Sequence, residues 1–169
     1  MDEILELAAQ VGNALKEKGL LLATAESCTG GGVAQAITDI AGSSEWFDGG
    51  FIAYSNEAKS KMLDVPAAQI AQHGAVSEKI AAAMAAGALA NTNADVAVAT
   101  TGIAGPGGAV PGKPVGTVCI ACVAAGSEYT DRLQFDGDRQ AVRQQTVARV
   151  LRELMRFVQQ LPARNERRT

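Results

Sequence analysis

Apolar positions in this chain alternate between two periods. From residue 3 to 18, Ile4, Leu5, Ala8, Val11, Ala14 and Leu15 recur at helical spacing, and Gly19 ends the pattern. The run at 20–25 is apolar throughout and reads as a strand. Helical spacing returns over 29–41 and stops at Gly42. Residues 50–54 form a short strand, and 56–63 and 66–72 read as two short helices. Ser77 is an N-cap for an alanine-rich helix over 78–90. Residues 95–101 are β-branched and apolar, hence a buried strand; 115–124 is another. Residues 129–135 mix the two faces and suit an antiparallel or edge strand. A helix over 139–159 closes the pattern.

Helices alternate with strands, and the central strands are apolar on both faces. Such strands need cover on both sides, which predicts an α/β fold, a three-layer α/β/α sandwich. The short link between the strands at 115–124 and 129–135 requires an antiparallel pair, so the sheet is expected to be mixed, mostly parallel. One domain is expected over 1–161, with a charged, disordered tail over 162–169.

Composition narrows the function. Hydrophobic residues make up 47% of the 169 but aromatics only 4%, so the core must be built from Ala, Val, Ile and Leu. A net charge of −3 argues against a nucleic-acid partner. No apolar run approaches the ~20 residues of a membrane span. Asp2, Glu3 and Glu6 replace the cationic start of a secretory signal, so a cytoplasmic protein without a membrane partner is expected. Cys119 and Cys122 have C-x-x-C spacing but sit in a strand pattern, where residues three apart face opposite sides. Core packing therefore outweighs a metal or redox reading. With one histidine in the chain, no His-based metal cluster is available, and neither metal nor cofactor is expected.

Ligands of open α/β sheets gather at the carboxyl ends of strands. Three suggestive loops lie at such ends: 26–32, 54–59 and 101–108. The first holds Glu26, Ser27, Cys28, Thr29, Gly30 and Gly31, a hydroxyl beside main-chain N–H groups that can hold an anion or oxyanion. The second holds Tyr54, Asn56 and Lys59. The third holds Thr101, Gly102, Gly105 and Gly107, with N–H groups free of side-chain bulk. Ser27 is the candidate nucleophile, and Lys59 is its base by position, provided that burial lowers its pKa. Tyr54 can relay the proton or orient the lysine. Arg139 and Arg143, one turn apart, can grip a phosphate. Each feature has a plainer reading: Ser27 or Thr29 as a helix cap, Lys59 and the arginines as solvated surface, Tyr54 as packing, the glycine loop as a turn. His73, the only histidine, reads as a loop residue.

At these residues the chain resembles the CinA C-terminal domain family. The likeness rests on Ala25-Glu26-Ser27-Cys28-Thr29-Gly30-Gly31, Tyr54-Ser55-Asn56-Glu57-Ala58-Lys59 and His73-Gly74-Ala75-Val76-Ser77. It extends to Gly102-Ile103-Ala104-Gly105-Pro106 and Lys113-Pro114-Val115-Gly116-Thr117-Val118. These segments occur together and in order over nearly the whole chain. The resemblance implies a stand-alone form, without the molybdopterin-binding-like domain that often precedes it. It also implies an amidase that converts nicotinamide mononucleotide to nicotinic acid mononucleotide and ammonia, in pyridine-nucleotide salvage. Ser27, Lys59 and Tyr54 fall on the family's serine, lysine and tyrosine. Association among relatives implies a homodimer. The alternative is a non-catalytic nucleotide-binding or regulatory module with the same fold.

Overall fold

A computed structural model describes residues 2–165. The elements in order are α1 (Glu3–Lys18), β1 (Leu22–Glu26), α2 (Gly32–Thr38), a 3-10 turn (Ser43–Glu45), β2 (Phe47–Ile52) and α3 (Asn56–Leu63). There follow α4 (Ala67–His73), α5 (Glu78–Ala90), β3 (Val96–Gly102), β4 (Thr117–Ala124), β5 (Ser127–Gln134) and α6 (Arg139–Gln159). Four helix N-termini are set by side-chain caps. Asp2 accepts from Ile4 N–H, Ser55 from Ala58 N–H, Ser77 from Ile80 N–H and Asp138 from Ala141 N–H.

The strands lie in the order β2-β1-β3-β4-β5. β1 pairs in parallel with β2 and with β3, whereas β4 pairs antiparallel with β3 and with β5. The sheet is mixed, as the short β4–β5 link required. Its parallel character lies in strand direction, since only β4 runs against the rest, while parallel and antiparallel ladders are equal in number.

The two faces of the sheet differ in side-chain size. Leu22, Val96, Val98, Val118 and Ile120 pack against α1, α2 and α6. Ala23, Ala25, Ala97, Ala99 and Ala121 pack beneath α3, α4 and α5, where Ile80, Met84 and Leu63 fill the layer. Each fully buried Leu, Ile or Met contributes roughly 1.5–3 kcal/mol. Cys119 belongs to the alanine face and Cys122 to the other, so the two thiols cannot share a ligand. Burial pushes both thiols up, Cys119 to about 11.

Helix α2 is shorter than the 29–41 read from the sequence. Gly30 and Gly31 have φ of 59° and 101°, a left-handed turn that delays the helix to Gly32. No helix among the described residues is long and apolar enough to cross a membrane. Of the tail read over 162–169, residues 166–169 lie outside those described; within the described part, Arg164 pairs with Asp95 at 2.7 Å.

Candidate active site

Because β1, β2 and β3 are mutually parallel, the loops that follow them emerge along one edge. Ser27 directly follows β1, and its N–H donates to the Thr100 carbonyl at 3.0 Å, which ties the serine to β3. Ser55 caps α3 and so starts the helix that carries Lys59 one turn later. That turn brings Lys59 Nζ to 3.1 Å from Ser27 Oγ and 3.1 Å from the Tyr54 carbonyl oxygen. Ser27 Oγ lies 3.4 Å from the same carbonyl. Lys59 is only 2% exposed. Burial lowers its pKa from the ordinary lysine value of 10.5, opposed by the neighbouring Cys28. The amine donates to the Tyr54 carbonyl and to Ser27 Oγ, and its neutral form can accept the serine proton across the same contact.

Ser27 and Lys59 open onto a cavity of about 250 Å³. Cys28, Tyr54 and Asn56 line it from the first two loops; Thr101, Gly102, Gly105 and Gly107 line it from the third, and Arg139 reaches it from α6. Ile103, Ala104 and Gly108 of the third loop and Ala75 and Val76, between α4 and α5, complete the wall, and the Thr101 hydroxyl donates to the Ala75 carbonyl at 2.8 Å. None of these five carries a reactive side chain; the sequence signal for Ala75 and Val76 is the His73-Gly74-Ala75-Val76-Ser77 motif itself. A larger hollow of about 450 Å³ lies between β5 and α6. Its Glu153 is paired with Arg149 and Arg156, each at 3.1 Å, and no lysine lines it.

Five residues read as substrate-binding lie outside the cavity wall: Glu26, Thr29, Gly30, Gly31 and Arg143. Glu26 is buried and caps α2. Its carboxylate accepts from Val33 N–H at 2.8 Å, Ala34 N–H at 3.0 Å and the Thr29 hydroxyl at 2.5 Å. The helix N-terminus therefore holds an internal anion where a ligand was expected. Neither Ser27 nor Thr29 is the cap, because Gly30 and Gly31 turn the helix toward Glu26. The Gly30 N–H closes a turn on the Ser27 carbonyl at 3.1 Å. Arg143 donates from Nε to the Cys28 carbonyl at 3.1 Å and from Nη2 to the Thr29 carbonyl at 3.3 Å. The arginines are thus split between two tasks. Arg139 donates to the Gly105 carbonyl at 2.8 Å and to the Tyr54 hydroxyl at 3.0 Å, bridging two cavity loops.

Tyr54 also differs from expectation. The residue is 58% exposed, and its hydroxyl meets Arg139 rather than the lysine. The carbonyl of Tyr54, not its phenol, orients Lys59. Cys28 sits beside Ser27; burial, then the Glu26 carboxylate, push its thiol up to about 12, which disfavours the reactive thiolate.

The CinA C-terminal domain family matches residues 4–158. Nicotinamide-nucleotide amidohydrolase PncC of Escherichia coli strain K12 is 55% identical over 153 residues, which cover 90% of this chain and 93% of that protein. The protein of the same name from Pseudomonas putida is 48% identical over 157 residues, 93% of this chain and 98% of its own. The crystal structure of competence/damage inducible protein CihA from Agrobacterium tumefaciens aligns at a TM-score of 0.89 with 44% identity, covering 92% of this chain and 96% of that one. The chain belongs to the CinA C-terminal domain family.

Proposed function

We propose that this protein is a nicotinamide-nucleotide amidase that deamidates nicotinamide mononucleotide through a serine nucleophile and a lysine base. The observation that carries the reading is a buried Lys59 Nζ 3.1 Å from Ser27 Oγ, on the floor of a cavity open to a small ligand. The PncC relatives supply the substrate class through their names.

Neutral Lys59 takes the Ser27 proton, and Ser27 Oγ attacks the carboxamide carbon. The oxyanion forms against main-chain N–H groups of the cavity wall, where each donor is worth about 3–4 kcal/mol. The C–N bond then breaks, and Lys59 returns its proton to the departing ammonia. Water attacks the acyl-enzyme carbonyl, giving its proton to Lys59, which restores the Ser27 hydroxyl as nicotinic acid mononucleotide leaves. The Tyr54 carbonyl keeps the amine aimed throughout. Arg139 and the glycine loop at 102–108 face the same cavity and suit the 5′-phosphate. This chemistry belongs to pyridine-nucleotide salvage.

A coupled ammonia assay with nicotinamide mononucleotide tests the scheme. Ser27→Ala should abolish ammonia release and retain nucleotide binding. Full turnover by that variant rejects the serine mechanism, and binding without turnover by the parent protein marks a non-catalytic module instead.

A further inference from the structure

We infer that Arg143 is a positioning residue for the reaction: its guanidinium holds and polarises the serine loop so that the Cys28 N–H receives the oxyanion. The inference rests on the amidase reading and adds to it a donor and the group that sets it.

Three observations converge on this loop. Cys28 lines the cavity, but its thiol packs with the core and its carbonyl is taken by Arg143. Its N–H donates to no main-chain carbonyl among the described residues. That N–H belongs to the residue after the nucleophile, a position that supplies an oxyanion donor in other serine hydrolases. Second, the peptide that carries it is already polarised, because the Ser27 carbonyl accepts from Gly30 N–H at 3.1 Å. Hydrogen bonds in such chains strengthen one another. Third, Arg143 spans the next two carbonyls at 3.1 and 3.3 Å and has no carboxylate within 4.0 Å among the described residues. Its charge is spent on the dipoles of the serine loop. The fit is close: a Cβ at Gly30 would come within 3.1 Å of Arg143 Nη2. A planar fork holds its donors in a fixed geometry matched to two carbonyls, which the flexible point charge of a lysine does not pre-organise.

The test is steady-state ammonia release by Arg143→Ala and Arg143→Lys. Misplacing one oxyanion donor should lower kcat about 10- to 100-fold with KM within about twofold. The lysine variant should fall between Arg143→Ala and the parent. Guanidinium ion at low millimolar concentration should restore Arg143→Ala by about threefold or more and leave the parent unchanged. An unchanged kcat overturns the inference. So does a rise in KM alone, which would make Arg143 a substrate ligand, or a kcat loss that guanidinium does not restore. Should the parent release no ammonia from the nucleotide, the amidase reading fails. The rate of Ser27 labelling by a fluorophosphonate then tests the loop: the serine displaces fluoride at phosphorus, and Lys59 takes the proton. A lower labelling rate in Arg143→Ala supports positioning; an equal rate rejects it.

Discussion

Lys59→Met is the most searching test of the dyad. Methionine keeps an unbranched apolar stem in a site that is 2% exposed, but it removes the amine. Two hydrogen bonds of 3.1 Å are lost, to Ser27 Oγ and to the Tyr54 carbonyl. Together they are worth about 1–3 kcal/mol net. Relief from burying an amine opposes that loss, so the folded protein should survive with little change in Tm near neutral pH. Catalysis should not survive: removal of the general base costs about 100- to 10,000-fold in kcat. The pH dependence carries a second signature. Only the neutral amine accepts the serine proton, so activity of the parent should rise with pH through the lowered pKa of Lys59. The same shift has a sign in stability. Between the lowered folded pKa and the ordinary value of 10.5, the unfolded chain binds more protons than the folded one. Stability from this group therefore rises with pH across that window, and below the folded pKa the cost of burial is complete. Lys59→Met should lose both slopes. Because serine and lysine act as a unit, the double variant with Ser27→Ala should be no slower than Ser27→Ala alone. The assay is ammonia release across pH, paired with thermal denaturation. An activity loss under tenfold, or an ascending limb that persists in Lys59→Met, would refute the assignment.

Two structural predictions accompany it. Glu26→Gln leaves one acceptor for three donors and sets an amide NH2 against main-chain N–H groups; a cost of about 1–3 kcal/mol should lower Tm by roughly 3–10 °C, and an unchanged melting curve would contradict the capping role. Gly87→Ala should destabilise by about 1–3 kcal/mol or more and slow ammonia release, although helix propensity alone favours alanine by about 1 kcal/mol, because the new Cβ would lie 1.8 Å from the Leu63 carbonyl oxygen. A gain in Tm there would show that propensity outweighs the contact.

The regular elements were legible because their signals are local. Helices α1, α3, α5 and α6 begin and end where caps and apolar spacing placed them. The meeting of Ser27 with Lys59 was legible too, since both stand just beyond parallel strands. Side-chain direction was not. Glu26 stands in a motif of candidate ligands, and nothing in its neighbours tells whether the carboxylate turns to the cavity or to Val33 and Ala34. That choice follows from the left-handed turn at Gly30 and Gly31, a main-chain conformation with no side chain to announce it. Arg139 and Arg143 look equivalent by spacing, yet one turn of helix sends one to the cavity and the other behind the serine loop. In the sequence Tyr54 draws attention to its phenol, whereas the group that meets Lys59 is its carbonyl, which every residue possesses.

The alanine face of the sheet bears directly on the proposed lysine base. Exclusion of water favours the neutral form of a buried lysine, and the fold brings a helix close over the end of β1. Ala23, Ala25, Ala97 and Ala99 let α5 settle near the sheet, and α5 in turn presents small residues to α3. Gly87 lies against the backbone of Leu63 at the end of α3, where a Cβ would meet the Leu63 carbonyl oxygen at 1.8 Å. Larger side chains in either layer would lift α3 and admit water to the amine. The ammonium form would then be favoured and the lone pair lost to the serine. The low aromatic content and the many alanines thus bear on the reactivity of Lys59 as well as on packing. By this argument, enlarging Ala25 or Ala99 should raise the pH at which activity appears before it abolishes folding. An activity profile that stays fixed while stability falls would separate the two effects.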